Sequence, residues 1–174
     1  MALVFSCAWI EREPGRPPKI AGIPIPDETR TIYIQNVRNN TYAAGMHTKL
    51  TQFLIEELGR RGRFLTTRDK NLASYRLYAD LVHYQQVGNL MDLADQQLSS
   101  ELFVVCRIEL VEAKSGQKLT LERNEVPGRV YFSNQLGYQE SELEAQNRLL
   151  RVLSIRIAEE TERAWYFSLT DKTE

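Results

Sequence analysis

The stretch ELFVVCRIELVE, residues 101–112, alternates along its length. Leu102, Val104, Cys106, Ile108 and Leu110 share one side of a period-2 pattern, while Arg107 and Glu109 fall on the other. A strand that is apolar on one side and partly charged on the other belongs to a sheet covered on one face and wetted on its opposite face. AKSGQK (113–118), with Ser115 and Gly116 at the tip, reads as a hairpin turn, so the next strand returns antiparallel. Leu119 and Leu121, then Val130 and Phe132, are expected to carry that return, with Pro127 and Gly128 marking a bulge or break. Upstream, residues 75–88 alternate in the same way and supply a further strand.

Beyond these strands the periodicity changes twice. TIYIQNV (31–37) is β-branched and alternating, and NNTYAAG then turns the chain into a helix over 43–59, with Asn40 or Thr41 as the expected N-cap. Met46, Leu50, Phe53, Leu54 and Leu58 recur at helical spacing and bury one face, and Gly59 and Gly62 are expected to stop that helix. A short strand should follow at 64–66. SELE (141–144) is a capping box with Ser141 as N-cap and Glu144 reaching back. It opens a long helix whose predicted stripe runs through Leu143, Leu150, Leu153, Ile157 and Ala164. Strand, helix, three or four strands, helix: this order predicts an α+β two-layer sandwich. Its sheet has four or five strands, mixed or antiparallel, with both helices packed on one face.

Composition sets limits on function. At 174 residues the chain is long enough for one domain with a real core, and its formal net charge of −1 gives no reason to expect nucleic acid as a partner. No window approaches the roughly 18 apolar residues of a membrane-spanning helix. Five of the six prolines lie between Pro14 and Pro26, which predicts an extended, semi-rigid leader. The expected division is a lipobox remnant and tether at 1–28, a folded domain at 29–167 and a frayed tail at 168–174. Cys7 and Cys106 form no CxxC pair. In MALVFSC, Val4 and Ser6 fit a lipobox ahead of Cys7, but no basic residue and too short an apolar stretch precede it for a full signal peptide. From these residues alone Cys7 is a core thiol, half of a bridge to Cys106, or a lipid attachment point.

Catalytic chemistry finds little to stand on. His47 and His83 belong to no metal-ligand spacing, and no nucleophile elbow, P-loop or dinucleotide fingerprint is present, so no enzyme activity, metal or cofactor is expected. Cys106, inside an apolar stripe, reads as an inert core thiol. Glu140, Glu142 and Glu144 are accounted for by the start of a helix. Asn39, Asn40 and Thr41 match a glycosylation sequon, which a turn and cap explain equally well. Two features remain. Arg60, Arg61 and Arg63 cluster in GRRGRF (59–64), where they either complement a helix C-terminus or contact phosphate. NLMDLADQQL (89–98) places Leu90, Met91 and Leu93 between two strands, where they either fold back on the sheet or form a partner-facing tip.

Several segments, in order, resemble the LptE family of outer-membrane lipoproteins of lipopolysaccharide assembly. The family's I-x-I-x-x-V-x-N-x-T pattern is matched by Ile32, Ile34, Val37, Asn39 and Thr41, with Gly45 following. Its Leu-Thr pair is Leu50 and Thr51, its Ala-Asp strand opening is Ala79 and Asp80 running to Tyr84, and its turn is Ser115, Gly116, Lys118 and Leu119. Gly128, Tyr131 and Phe132 end the sheet, and Glu142, Glu144 and Ala145 open the closing helix. The likeness covers about residues 29–165. It implies a non-catalytic protein at the periplasmic face of the outer membrane, held by lipid on Cys7, which plugs and assists assembly of an LptD-like β-barrel and contacts lipopolysaccharide. Arg60, Arg61 and Arg63 are then the candidate lipopolysaccharide phosphate contacts, because 87–98 and 133–141 hold no lysine or arginine. Leu90, Met91 and Leu93 are the candidate barrel contacts. The Asn-x-Thr and Ala-Asp pairs also resemble LpoB-like and TolB-like periplasmic domains, which implies, as the alternative, an envelope lipoprotein regulating a cell-wall synthase or another partner.

Overall fold

Strand alternation and helical stripes produce the two layers in the computed structural model, which describes residues 19–20, 23–91, 97–133 and 140–170. Cys7 and Leu93 lie outside the described residues. A small antiparallel pair, β1 (Lys19–Ile20) and β2 (Ile23–Pro24), precedes a 3-10 turn at Asp27–Arg30. The main sheet is built from β3 (Thr31–Ile34), β4 (Arg38–Asn39), β5 (Leu65–Thr67), β6 (Tyr75–Met91), β7 (Gln97–Glu112) and β8 (Glu125–Ser133). Its order is β5-β3-β6-β7-β8, and β4 pairs with β6 beyond the end of β3. β3 lies parallel to both β5 and β6, whereas β6, β7 and β8 are antiparallel, so the sheet is mixed. Helices α1 (Met46–Arg61) and α2 (Glu142–Thr170) cover one face.

The core is the meeting of those apolar stripes. Leu102, Val104, Cys106, Ile108 and Leu110 of β7 are all fully buried beneath the helices, as their alternation predicts. Leu50, Leu54 and Leu58 of α1 and Leu149, Leu150, Leu153 and Ile157 of α2 close over them. At one end Phe64 sits between Trp165 (ring centroids 4.8 Å) and Tyr75 (6.1 Å). The proline-rich segment adds to this core, since Ile25 is buried within it. The nearby Arg30 is buried too, donating from Nη1 to the Gly62 carbonyl at 2.8 Å and pairing with Asp27.

Several local expectations are corrected. The first helix begins at Met46, and its N-cap is Gly45 at φ 78°, where a residue without Cβ meets no steric penalty. Neither Asn40 nor Thr41 caps it. Asn39 instead folds the turn ahead of the helix: its Oδ1 accepts from Thr41 N–H at 3.0 Å, and its Nδ2 donates to the Ala43 carbonyl at 2.7 Å. Gly59 stays within the helix, and the stop is Gly62 at φ 67°, whose N–H donates to the Gly59 carbonyl. Leu119 and Leu121 join the returning chain only through an isolated bridge between Val111 and Lys118, and the strand proper begins at Glu125. Residues 127–128 do not break it. β8 is an edge strand that tolerates a proline, and a Cβ on Gly128 would lie 3.0 Å from Leu149 and 3.2 Å from Val104. In α2 the capping box forms as predicted, with Ser141 N–H to Glu144 Oε2 at 2.9 Å and Glu144 N–H to Ser141 Oγ at 3.2 Å. Leu143 is exposed, however, and Ala145 and Leu149 carry the start of the buried stripe. The helix continues through Thr170.

Candidate functional site

The two helices run parallel. Lys49 Nζ donates to Asn147 Oδ1 (2.8 Å) near their starts, and Arg61 reaches Glu159 and Glu162 near the end of α1. The molecule therefore has two different ends, separated by about 30 Å along α2 at 1.5 Å per residue.

One end holds the arginine cluster. Arg61 pairs with Glu57 at 2.7 Å, Glu159 at 3.1 Å and Glu162 at 3.2 Å, with only 17% of its side chain exposed. Arg60 pairs with Glu57 at 2.8 Å, and Arg63 approaches Glu162 at 3.5 Å. Burial works against charge on Glu57, but the hydrogen bonds and charges of Arg61 and Arg60 hold its carboxyl below the ordinary value. Burial likewise opposes the charge on Arg61, and its three glutamate partners raise its pKa nonetheless. The positive run in the sequence is thus met by three carboxylates, two of them a hundred residues away. Arg60 and Arg63 keep 70% and 45% of their side chains exposed, whereas Arg61 is committed to the fold.

The other end carries exposed apolar side chains. The strand pairing of β6 and β7 continues to Leu90 opposite Ser99 and Met91 opposite Gln97, so these two predicted loop residues lie in a long hairpin. Around the end of the sheet where α2 begins stand Tyr42, Val87, Tyr131 and Leu143, all exposed. The hidden partner that organises this end is Tyr84. Its ring meets Tyr42 edge-on at 5.3 Å, and its hydroxyl accepts from Gln146 Nε2 at 3.1 Å and donates to Glu142 Oε1 at 3.4 Å. A β-bulge between Leu81 and His83 makes this contact, because the extra residue returns Tyr84 to the helix side of the sheet. Alternation alone placed Tyr84 on the wrong parity to reach α2, and only the bulge corrects it.

Between the ends lies the helix-free face. In cross-strand register it carries Arg38, Asp80, Arg107 and Glu125, a row of alternating charge over four strands. Arg107 bonds Glu125 at 2.8 Å, Lys118 bonds Glu109 at 2.8 Å, and Arg129 joins Glu101 at 2.8 Å while lying over the Phe103 ring. A shallow cleft of about 430 Å³ beside this row is lined by Arg38, Tyr78, Asp80, Arg107 and Lys118. It lacks the apolar walls of a small-molecule site. Among the described residues no group of histidine, cysteine and carboxylates forms a metal site, and no helix is long and apolar enough to cross a membrane. Cys106 is a buried free thiol whose pKa is pushed up to about 12, by burial first and then by the charge of Asp80.

The residues that carried the family resemblance prove to be joints of this framework. Val37 N–H, where β3 leaves the sheet, donates to Thr51 Oγ1 at 3.0 Å, and Thr51 in turn donates to the His47 carbonyl. Asn39 and Thr41 fold the turn, Tyr84 ties β6 to α2, and Gly128 lets α2 approach β8.

A family model described as LptE, lipopolysaccharide-assembly, matches residues 29–161. Among solved structures, the protein XCC0632 of Xanthomonas campestris, of family DUF330, aligns with a TM-score of 0.53 at 9% identity, covering 93% of this chain and 94% of its own. The hypothetical protein CT253 of Chlamydia trachomatis aligns with a TM-score of 0.50 at 9% identity, covering 75% of this chain and 96% of its own. At such identities the likeness is one of fold. No curated protein matches the chain by sequence.

Proposed function

This chain belongs to the LptE lipopolysaccharide-assembly family, and from that premise we propose that it is a non-catalytic outer-membrane lipoprotein acting as plug and assembly chaperone of an LptD-like β-barrel. The family match across the folded domain is the observation that carries this reading. The fold is consistent with it. A rigid two-layer plug needs joints rather than a reactive centre, and among the described residues the one thiol, Cys106, is buried in the core. In this reading Cys7 is acylated and holds the domain at the periplasmic face of the outer membrane. Several acyl chains on one cysteine suffice for stable anchoring where a single chain would not.

The apolar end is the part that enters the barrel. Leu90 and Met91 on the hairpin are joined there by Tyr42, Tyr131 and Leu143, whose exposure supports a surface covered in the assembly, and Leu93 is proposed as a further barrel contact. Arg60 and Arg63, exposed at the opposite end, are the residues left to meet lipopolysaccharide phosphates, since Arg61 is held by its glutamates.

Co-expression with the cognate barrel, detergent extraction and affinity capture test the reading. A large β-barrel is expected to co-purify, and Leu143→Glu combined with Met91→Asp should reduce its recovery at least about tenfold, as loss of a central apolar anchor does. Recovery of a cell-wall synthase in place of a barrel would replace this function with the regulatory one.

A further inference from the structure

Each long edge of a sheet offers unpaired N–H and C=O groups to any passing strand, and proteins blunt such edges with prolines, charges or covering side chains. The β8 edge is blunted in this way. Pro127 has no N–H to offer, its carbonyl accepts from Arg156 Nη1 at 2.6 Å, and the Tyr131 carbonyl accepts from Arg148 Nη2 at 2.7 Å. At the opposite edge, β5 is only three residues long.

The outer half of β6 is treated differently. β3 and β4 accompany β6 only as far as Leu81, whose carbonyl accepts from Asn40 N–H at 2.9 Å. From His83 onward β6 has β7 on one side and no strand among the described residues on the other. Register identifies the groups left open. Ile108 N–H of β7 donates to the Asn124 carbonyl on the β8 side, so the even-numbered residues of β7 bond toward β8 and the odd-numbered ones toward β6. Val105, Phe103 and Glu101 therefore bond to His83, Gln85 and Val87, and the backbones of Tyr84, Gln86 and Gly88 point outward. Neither proline nor charge guards them, since residues 81–91, between Asp80 and Asp92, contain no proline and no Asp, Glu, Lys or Arg, and the bulges of β6 fall on either side of 84–88 and leave its register regular.

We propose that residues 84–88 of β6 form a β-augmentation site that takes an extended, uncharged segment of the partner barrel protein as an added strand. This rests on the barrel-plug reading above. A second copy of the chain is a poor occupant, because pairing five residues of two edges buries far less than the roughly 1,200 Å² of a stable specific interface. The strand must come from a partner already held by other contacts, and the apolar end, to which Val87 belongs, adjoins the open edge. Gln85, Gln86 and Val87 offer no charge to pair, so a charged incoming segment would be desolvated without compensation. An uncharged one would gain backbone hydrogen bonds at alternate residues.

Amide hydrogen exchange on the chain alone and in the co-purified complex tests this directly. The amides of Tyr84, Gln86 and Gly88 should slow at least about tenfold in the complex, while those of His83, Gln85 and Val87, already bonded to β7, should change little. Gln86→Pro removes one outward N–H and leaves the β7 side untouched. It should lower barrel recovery several-fold, whereas Gln86→Ala should not. If the proline variant loses its cooperative melt, the exchange pattern decides alone. An intact complex whose edge amides exchange freely overturns the inference and spares the plug reading. Protection that instead appears in the isolated chain as its concentration rises assigns the edge to a second copy and also overturns it. No barrel in the wild-type capture overturns both.

Discussion

Cys106 illustrates how far one residue can be read from its neighbours. Its place in the period-2 stripe of 102–110 predicted burial, and burial is what pushes the thiol pKa up to about 12. A thiol with that pKa is almost wholly protonated at neutral pH, so alkylating reagents should label Cys106 only at the rate at which the domain opens. Labelling at pH 8 should accelerate by several orders of magnitude when denaturant unfolds the chain, and mass spectrometry with and without denaturant measures this. The arginines are the opposite case. GRRGRF displays three positive charges locally, and Arg60 pairs within its own helix with Glu57, yet what Arg61 and Arg63 do depends on Glu159 and Glu162, which only folding brings near. Thr51 and Asn39 lie between these cases. Their identity was legible as part of a family pattern, but their work, capping Val37 N–H and folding the turn, shows only in the folded chain.

Among the elements, those with strong periodicity were legible and those set by contacts were not. β7 and the capping box of α2 formed where the pattern placed them. Residues 127–128 looked like a break because proline and glycine interrupt isolated strands. In the sheet the proline falls on an edge, and the glycine makes room for a helix. Gly128→Ala should therefore cost about 1 kcal/mol, and Gly128→Val about 3 kcal/mol, by overpacking against Leu149 and Val104. Thermal or urea melts of the two variants measure the difference, and a neutral valine would contradict the close approach. The length of the β6–β7 hairpin was likewise hidden. Residues 89–98 lack clean alternation, and pairing across the hairpin, with register shifts at Gly88 to Met91, extends the strands regardless.

Across the whole molecule, the Glu57–Arg61–Glu162 cluster clamps the end of α1 to α2. The depressed pKa of Glu57 means that its contribution to stability is complete above the ordinary carboxylate value and is lost as pH falls through its lowered folded value. Glu57→Gln should cost about 1–2 kcal/mol at pH 7, after allowance for solvent screening, and its deficit should shrink as the pH is taken below 4. Urea titrations of both proteins at pH 7 and pH 3 read this out, and a deficit unchanged by pH would place the clamp's strength elsewhere. The α+β class, the apolar faces, the capping box and, through the order of its motifs, the family could be read from the chain before it was folded. These depend on local periodicity and spacing, which need no knowledge of what lies opposite. Packing revealed which arginines are already neutralised, why Gly128 is small, and that the arginines and the hairpin lie at opposite ends. It also showed that the β8 edge is guarded, while the outer half of β6 has no strand on its far side among the described residues. Each of these is a relation between groups distant in the chain, set by strand register, one bulge and the parallel packing of two helices.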